Sequence, residues 1–205
     1  KFMLLVSDTE AQSSLFLGAI KQQLTENETL IQMFGLKKNE KGMVQFAKET
    51  ETDIIVKFAD QNSFRIVAKG AEQKLRGMLW SGQRPDIIVI DDLMNEELVA
   101  NKDRRDKLRR WVYGSLIPCR SERGIIRFVG TPMNLDDPLE SLMPKENAKA
   151  TIVEDLRIYS TKKQGMWRSV KYRAHNADYS AILWPQRKSK QLFEELRHDF
   201  NEQGI

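Results

Sequence analysis

The chain has 205 residues, 40% of them hydrophobic and 30% charged, a composition typical of a soluble globular protein with room for one α/β domain. Its apolar runs are too short to cross a membrane and no signal peptide is recognisable, so we expect neither a membrane span nor secretion. The net charge of +4 permits a nucleic-acid partner without requiring one. Cys119 is the only cysteine, which excludes a disulfide framework. Because His175 and His198 are distant in sequence, we expect an inert thiol and not a catalytic one.

The first segment predicts a strand followed by two helices. Phe2–Val6 is an apolar run, and Ser7 or Asp8 can cap the helix that follows it. The same polar turn could contact a phosphate or a DNA backbone at the helix N-terminus, although capping is the preferred interpretation. Asn27 can then cap a short helix that Gly35 closes.

Two alternating runs, 53–58 and 64–68, predict a β-hairpin, because 60–63 between them supplies turn-forming residues. A loop with two glycines follows and contains Arg76. A charged side chain here either pairs with a carboxylate or serves a charged ligand, and the residues alone leave both alternatives open.

An acidic pair follows the most apolar strand of the chain. Ile87–Ile90 is a run of four aliphatic residues, typical of a strand buried on both faces of a parallel sheet. It ends at Asp91 and Asp92, at the carboxyl edge where open α/β sheets bind ligands. The alternative is an ordinary strand followed by an Asp-rich helix cap.

A second apolar run, 124–129, ends in Gly130-Thr131-Pro132. One helical segment separates it from the acidic strand, which predicts a β-α-β unit with a right-handed crossover. The two strands would then present Asp91, Asp92, Gly130 and Thr131 along one edge, as a phosphate and metal site.

The intervening segment predicts a strongly basic helix that opens at Asn95. Leu98, Leu108 and Trp111 fall on its apolar face. Its many lysines and arginines, balanced in part by two aspartates, favour a solvated face over a DNA-contacting one.

The last third predicts a helix, a strand, a polar segment and a final helix. Asp136 and Asp137 are expected to cap the first of these helices, and 151–160 to form one strand. The basic and aromatic stretch 161–177 suits either a surface loop or nucleic-acid contact. An amphipathic helix is expected from Ser189.

The chain contains four short motifs, in the order Leu75-Arg76-Gly77, Gly82-Gln83-Arg84-Pro85-Asp86, the run from Ile87 to Leu93, and Val129-Gly130-Thr131-Pro132. Together they resemble the large terminase subunit of tailed bacteriophages, the ATPase motor that packages double-stranded DNA into procapsids, and the run from Ile87 to Leu93 resembles its Walker B motif. The order and spacing of the motifs match over roughly 2–203. The resemblance implies an α/β fold of the P-loop NTPase type, terminase- or helicase-like, with a mainly parallel sheet flanked by helices and an inserted β-hairpin.

The resemblance also implies roles for individual residues. Asp91 would hold Mg²⁺ at an ATP site, and Asp92 would orient the attacking water, although most P-loop ATPases have a glutamate there. Arg76 would act on a neighbouring subunit's nucleotide, with a purely structural arginine as the alternative. Gly130 and Thr131 would sense the γ-phosphate and couple hydrolysis to DNA movement.

The family's phosphate-binding motif, Gly-x-x-x-x-Gly-Lys-Ser/Thr, does not occur in the sequence. We therefore expect 1–205 to be an ATPase domain without its Walker A part and without the nuclease domain, with 186–205 leading toward the next domain. Alone it should hydrolyse ATP weakly or not at all. The resemblance implies a homo-oligomeric ring on the procapsid in the host cytoplasm, with double-stranded DNA, the portal protein and the small terminase subunit as partners. The alternatives are another helicase-like translocase or a non-catalytic DNA- or capsid-binding module.

Overall fold

The computed structural model describes residues 1–133, 137–145, 148–161 and 167–202. The chain forms two compact units, Lys1–Glu140 and Ser141–Ile205. Within the described ranges, every helix is too short or too polar to span a lipid bilayer.

The first unit contains six strands and four α-helices among its described residues. The last of these helices continues into a π-helical turn, Val112–Leu116, and a 3₁₀ turn, Ile117–Cys119. The strands are β1 Phe2–Ser7, β2 Phe46–Glu49, β3 Asp53–Lys57, β4 Ser63–Gly70, β5 Ile87–Asp91 and β6 Ile125–Val129. The helices are α1 Glu10–Glu26, α2 Glu28–Phe34, α3 Glu96–Ala100 and α4 Lys102–Trp111.

The six strands form one mixed sheet in the order β2-β3-β4-β1-β5-β6. Strands β4, β1, β5 and β6 are parallel, whereas β2 and β3 are antiparallel additions at one side. The predicted α/β class with a mostly parallel sheet is thus confirmed. So are the hairpin, formed by β3 and β4, and the β5-helix-β6 unit.

The core places β1 at the centre of the sheet. Leu4 and Val6 face one apolar cluster, which also includes Leu108 of α4, while Leu5 faces a second cluster together with Leu17 of α1. The prediction that β5 is buried on both faces is only half right. Ile88 and Ile90 are buried and the alternate residues only partly so. Helix α1 packs mainly on β4 and β1, so it covers that face of β5 only in part, where Val89 contacts the cluster that contains Leu17.

All four α-helices of the first unit begin at a side-chain cap. Asn27 caps α2 and Gly35 ends it in the left-handed conformation, as predicted. Helix α1 is capped by Thr9 and not by Ser7 or Asp8, since Ser7 still belongs to β1. The basic segment forms two helices instead of one, because Asn101 caps a new start at α4.

The second unit contains the antiparallel strands β7 Thr151–Val153, β8 Arg157–Ser160 and β9 Val170–Tyr172, followed by helix α5 Lys190–Glu202. The predicted single strand 151–160 is therefore a hairpin. Glu154 and Arg157 exchange backbone hydrogen bonds of 2.8 and 3.3 Å across its turn.

Two further predictions concern this part of the chain. Strand β9 gives regular structure to part of the stretch expected to be irregular. Helix α5 starts as predicted, with the Ser189 hydroxyl accepting from the Leu192 N–H at 3.1 Å. The helix start expected at 134–136, including Asp136, lies outside the described residues.

Candidate functional site

The carboxyl ends of four parallel strands meet at one edge of the sheet. Ser7, Gly70, Asp91 and Val129 are the last residues of β1, β4, β5 and β6. Asp91 is the register partner of Val129, so Gly130 begins directly beside the acidic pair. Four of the five site residues predicted from the sequence therefore share this edge, namely Asp91, Asp92, Gly130 and Thr131.

Asp91 is half-buried and has no ion-pair partner among the described residues. Burial, and secondly the neighbouring charge of Asp92, raises the pKa of the Asp91 carboxyl above its ordinary value. Both causes disfavour the ionised form, and a nearby cation would reverse that effect. The environment of Asp91 is therefore one in which a bound cation relieves an electrostatic penalty.

Asp92 adopts a backbone conformation that L-residues seldom take, with φ at +44°. Two hydrogen bonds of 3.3 Å fix it there: its N–H donates to the Val129 carbonyl, and its own carbonyl accepts from the Asp8 N–H. Backbone strain of this kind concentrates at functional positions. The two hydrogen bonds hold Asp92 at the ends of three adjacent strands, β1, β5 and β6.

Gly130 and Asp92 are in close contact. A β-carbon placed on Gly130 would lie 3.4 Å from Asp92 Oδ1 and 3.4 Å from Leu139 Cδ2. A crevice of about 10 Å³, also lined by Thr131, lies beside them. This is room for about one water molecule. The exposed Thr131 hydroxyl is thereby available at the same edge as the two carboxylates.

Sequence reasoning did not include three polar residues, Ser7, Asp8 and Asp137, in the predicted site. Asp8 accepts a 2.8 Å hydrogen bond from Asn95 Nδ2, which ties the end of β1 to the start of α3. Ser7 is fully buried, and its hydroxyl has no hydrogen-bond partner among the described residues. The polar turn that contains Ser7 and Asp8 had been considered as a contact for a phosphate or a DNA backbone, but capping was the preferred interpretation.

Asp137, expected to be a helix cap, lines the same crevice as Asp92 and is fully buried. Its carboxylate accepts from the backbone N–H groups of Leu139 at 2.7 Å and Met133 at 3.2 Å. Burial raises the pKa of Asp137 despite these bonds. The residue thus shapes the turn after β6.

Arg76 is the one predicted site residue that lies elsewhere in the unit. It is exposed and lines a cavity together with Arg84, which precedes β5, whereas Asp91 ends that strand. Across the described part of the chain Arg76 has no carboxylate partner, so the structural ion pair considered as its alternative role is not found there.

The carboxylates at the edge fit the protein's share of a magnesium site. The described residues contain no cluster of three or more His, Cys, Asp or Glu side chains that could hold a metal by itself. Mg²⁺, however, is commonly bound by one or two carboxylates together with waters and substrate phosphates. Asp91 and Asp92 are two carboxylates at this edge, which is the number that such a site takes from the protein.

Cys119 is a poor nucleophile. It is buried, and burial raises the pKa of its thiol to about 11 against the opposing charge of Arg84. The thiol is therefore protonated at neutral pH, as expected for an inert cysteine.

No model of a known protein family matches the chain, and comparison with curated proteins finds no similar one. The likeness to terminases accordingly depends on the sequence motifs described above.

Proposed function

We propose that the first unit carries the acidic half of a Mg²⁺-nucleotide site in a P-loop NTPase, and that the chain is part of the ATPase of a terminase large subunit. One observation carries the proposal: the pairing of β5 with β6 sets Asp91-Asp92 beside Gly130-Thr131 at the carboxyl edge of a parallel sheet. This is the edge at which α/β sheets of this kind bind ligands.

Each residue at this edge has a separate role in the proposed phosphoryl transfer. Asp91, whose ionised form is disfavoured in the absence of a cation, is the metal ligand. Asp92 accepts a hydrogen bond from the attacking water and orients it. The Thr131 hydroxyl donates to a phosphate oxygen or to that water. When bound, ATP would supply the reacting phosphoryl group, and Mg²⁺ would supply the positive charge that the carboxylates balance.

The larger function that we propose follows from the terminase resemblance. In an intact motor this unit would drive double-stranded DNA into a procapsid in the host cytoplasm, as part of a ring that contacts the portal protein and the small terminase subunit. Arg76, remote from Asp91 within the chain, would serve a neighbouring subunit's nucleotide. Because the chain contains no Walker A motif, we predict little ATP turnover by these 205 residues alone.

The experiment that tests the site is the Asp91 dependence of metal-nucleotide binding. Affinity for Mn²⁺-ATP, measured by electron paramagnetic resonance of free Mn²⁺, should fall at least about tenfold in Asp91→Asn, because one of two carboxylate ligands is lost. Asp103→Asn, the same change on the exposed surface of α4, is the control and should bind as the unmodified chain does. Equal affinity in the Asp91 and Asp103 variants would contradict the proposal.

The second candidate, a DNA-binding module without catalysis, is favoured by the charge of α4. Arg104 and Lys107 pair with Glu97 and Glu72. Three further cations have no acidic partner among the described residues, namely Lys102, Arg109 and Arg110. In that case Asp91→Asn would leave DNA affinity unchanged, and replacing these cations by glutamine would lower it and reduce its salt dependence. Binding sensitive to both sets of changes would fit the terminase or another helicase-like translocase.

A further inference from the structure

A second cavity of the first unit lies away from the acidic edge. It has a volume of about 390 Å³ and opens between the loop after β4 and the π-helical and 3₁₀ turns after α4. Its polar side chains are Arg76, Arg84 and Ser115, and apolar walls are formed by Leu75, Met78 and Pro118. This volume is in the range of small-molecule sites.

The charge of this cavity is unbalanced. Among the described residues, two guanidinium groups line it and no carboxylate does. Arg84 Nη1 donates to the Pro118 carbonyl at 2.7 Å, which fixes the side chain, and no described carboxylate pairs with its positive charge. Arg76 has no acidic partner in the described part of the chain. Two cations held at one concave surface attract an anion.

The backbone around the cavity leaves room for such a ligand. Gly77 has φ at +79°, a conformation that favours glycine, and no atom lies within 4 Å of where its β-carbon would be. Gly114 is equally open and belongs to the π-helical turn, a rare conformation that is common at functional sites. Ser115 adds a hydroxyl donor beside it.

We propose that this cavity binds a phosphate group, with Arg76 and Arg84 as its two cationic ligands and the Ser115 hydroxyl as a neutral donor. Guanidinium forks match phosphate oxygens in pairs, so two arginines can hold one phosphate or two linked ones. For Arg76 the inference rests on the nucleotide contact given under the proposed function and deepens it. Arg84, Ser115 and the cavity itself are new, and they do not depend on the acidic pair. The phosphate could belong to a nucleotide or to a DNA backbone, and the two sources are separated by experiment.

Cys119 provides a specific readout, because it lines the cavity and is the only cysteine of the chain. Because the buried thiol is protonated at neutral pH, its reaction with N-ethylmaleimide is slow and is followed by intact mass at about pH 9, over a time in which the anion-free chain reacts fully. The reaction should slow further when an anion fills the cavity. At ten times the dissociation constant the rate should fall about tenfold, since only the free protein reacts. The probes are pyrophosphate, ATP without metal, and a short DNA duplex, each at constant ionic strength.

Three variants with the same change of charge decide the result. Arg76→Gln and Arg84→Gln should each need about 10-fold to 100-fold more anion for equal protection, since each loses charge-assisted hydrogen bonds. Arg123→Gln, outside the cavity lining, is the control and should behave as the unmodified chain. Arg76 is exposed, so its variant stays informative if Arg84→Gln fails to fold.

Protection by pyrophosphate and ATP, lost in the cavity variants, would identify a nucleotide phosphate as the ligand. Protection by the duplex alone, lost in the same variants, would identify a DNA phosphate. Absence of protection by all three probes, or equal protection in Arg76→Gln and Arg123→Gln, would overturn the proposal.

Discussion

The end of β4 has no space for a side chain, which makes Gly70→Ala the sharpest test of the fold around the acidic edge. A β-carbon on Gly70 would lie 2.5 Å from the Glu10 backbone nitrogen and 3.0 Å from the Thr9 carbonyl carbon. Both obstacles are main-chain atoms at the start of α1, so no rotamer change can relieve the overlap. Helix α1 would have to move away from β4.

Overpacking of this kind commonly costs about 1–3 kcal/mol, and we expect the upper end because only backbone can yield. With an m-value of about 1–3 kcal/mol/M, a loss of 3 kcal/mol lowers the midpoint of urea unfolding by about 1–3 M. The assay is urea denaturation followed by circular dichroism. An unchanged m-value would assign the effect to the folded state.

Gly18→Ala is the matched control, because Gly18 is in the middle of α1 and no atom lies within 4 Å of its β-carbon position. Alanine should raise the free energy of unfolding by about 0.5–1 kcal/mol there, through helix propensity. A Gly70→Ala variant as stable as the unmodified chain would contradict the close packing of α1 on the end of β4.

Three further predictions concern carboxylates. Burial raises the pKa of the Asp53 carboxyl, but hydrogen bonds from Arg65 and Lys48 outweigh burial and lower that pKa below its ordinary value. The ionised carboxylate therefore stabilises the fold at pH values above the pKa of the unfolded chain. This stabilisation is lost as the pH falls through the pKa of the folded chain. Urea titrations should show the unmodified chain losing its advantage over Asp53→Asn below about pH 4. For Asp91 the pKa is raised, so the effect on stability is the opposite: the ionised carboxylate destabilises the fold at pH values above the pKa of the folded chain. Asp91→Asn should therefore have a higher free energy of unfolding than the unmodified chain at pH 7 and the same free energy at pH 3. Asp92→Gly should gain up to about 1 kcal/mol by relieving the φ of +44°, yet lose Mn²⁺-ATP affinity, and Asp92→Ala should show only the second effect.

Local patterns in the sequence predicted much of the first unit. The apolar runs at β1, β5 and β6 and the turn residues between β3 and β4 determine strands and a hairpin by themselves. Because parallel strands align their carboxyl ends, those runs also predicted that Asp91 and Gly130 would share an edge. The alignment of neighbouring strands was enough to place these residues together.

Features that depend on packing were not predictable. Thr9 caps α1 because β1 extends to Ser7, and Asn101 caps α4 because a new helix must start there for Leu108 to reach the core. The sequence alone offers several cap-forming residues near each start and does not indicate which of them is used. The incomplete burial of β5 reflects how far α1 extends across the sheet. The cavity lined by Arg76 and Arg84 forms between the loop after β4 and the two turns after α4. These segments have no periodic pattern of apolar residues, so the sequence did not predict that they lie together.

The central claim is that Asp91 and Asp92 form the metal side of a nucleotide site, and the most direct measurement is the position of bound Mn²⁺ in the folded chain. In ¹H–¹⁵N spectra with a small fraction of Mn²⁺-ATP, we predict selective broadening of the amides of Asp92, Gly130 and Thr131. The amide of Ser63, at the opposite end of the parallel strands, should stay sharp. Broadening centred elsewhere, or unchanged in Asp91→Asn, would contradict the account.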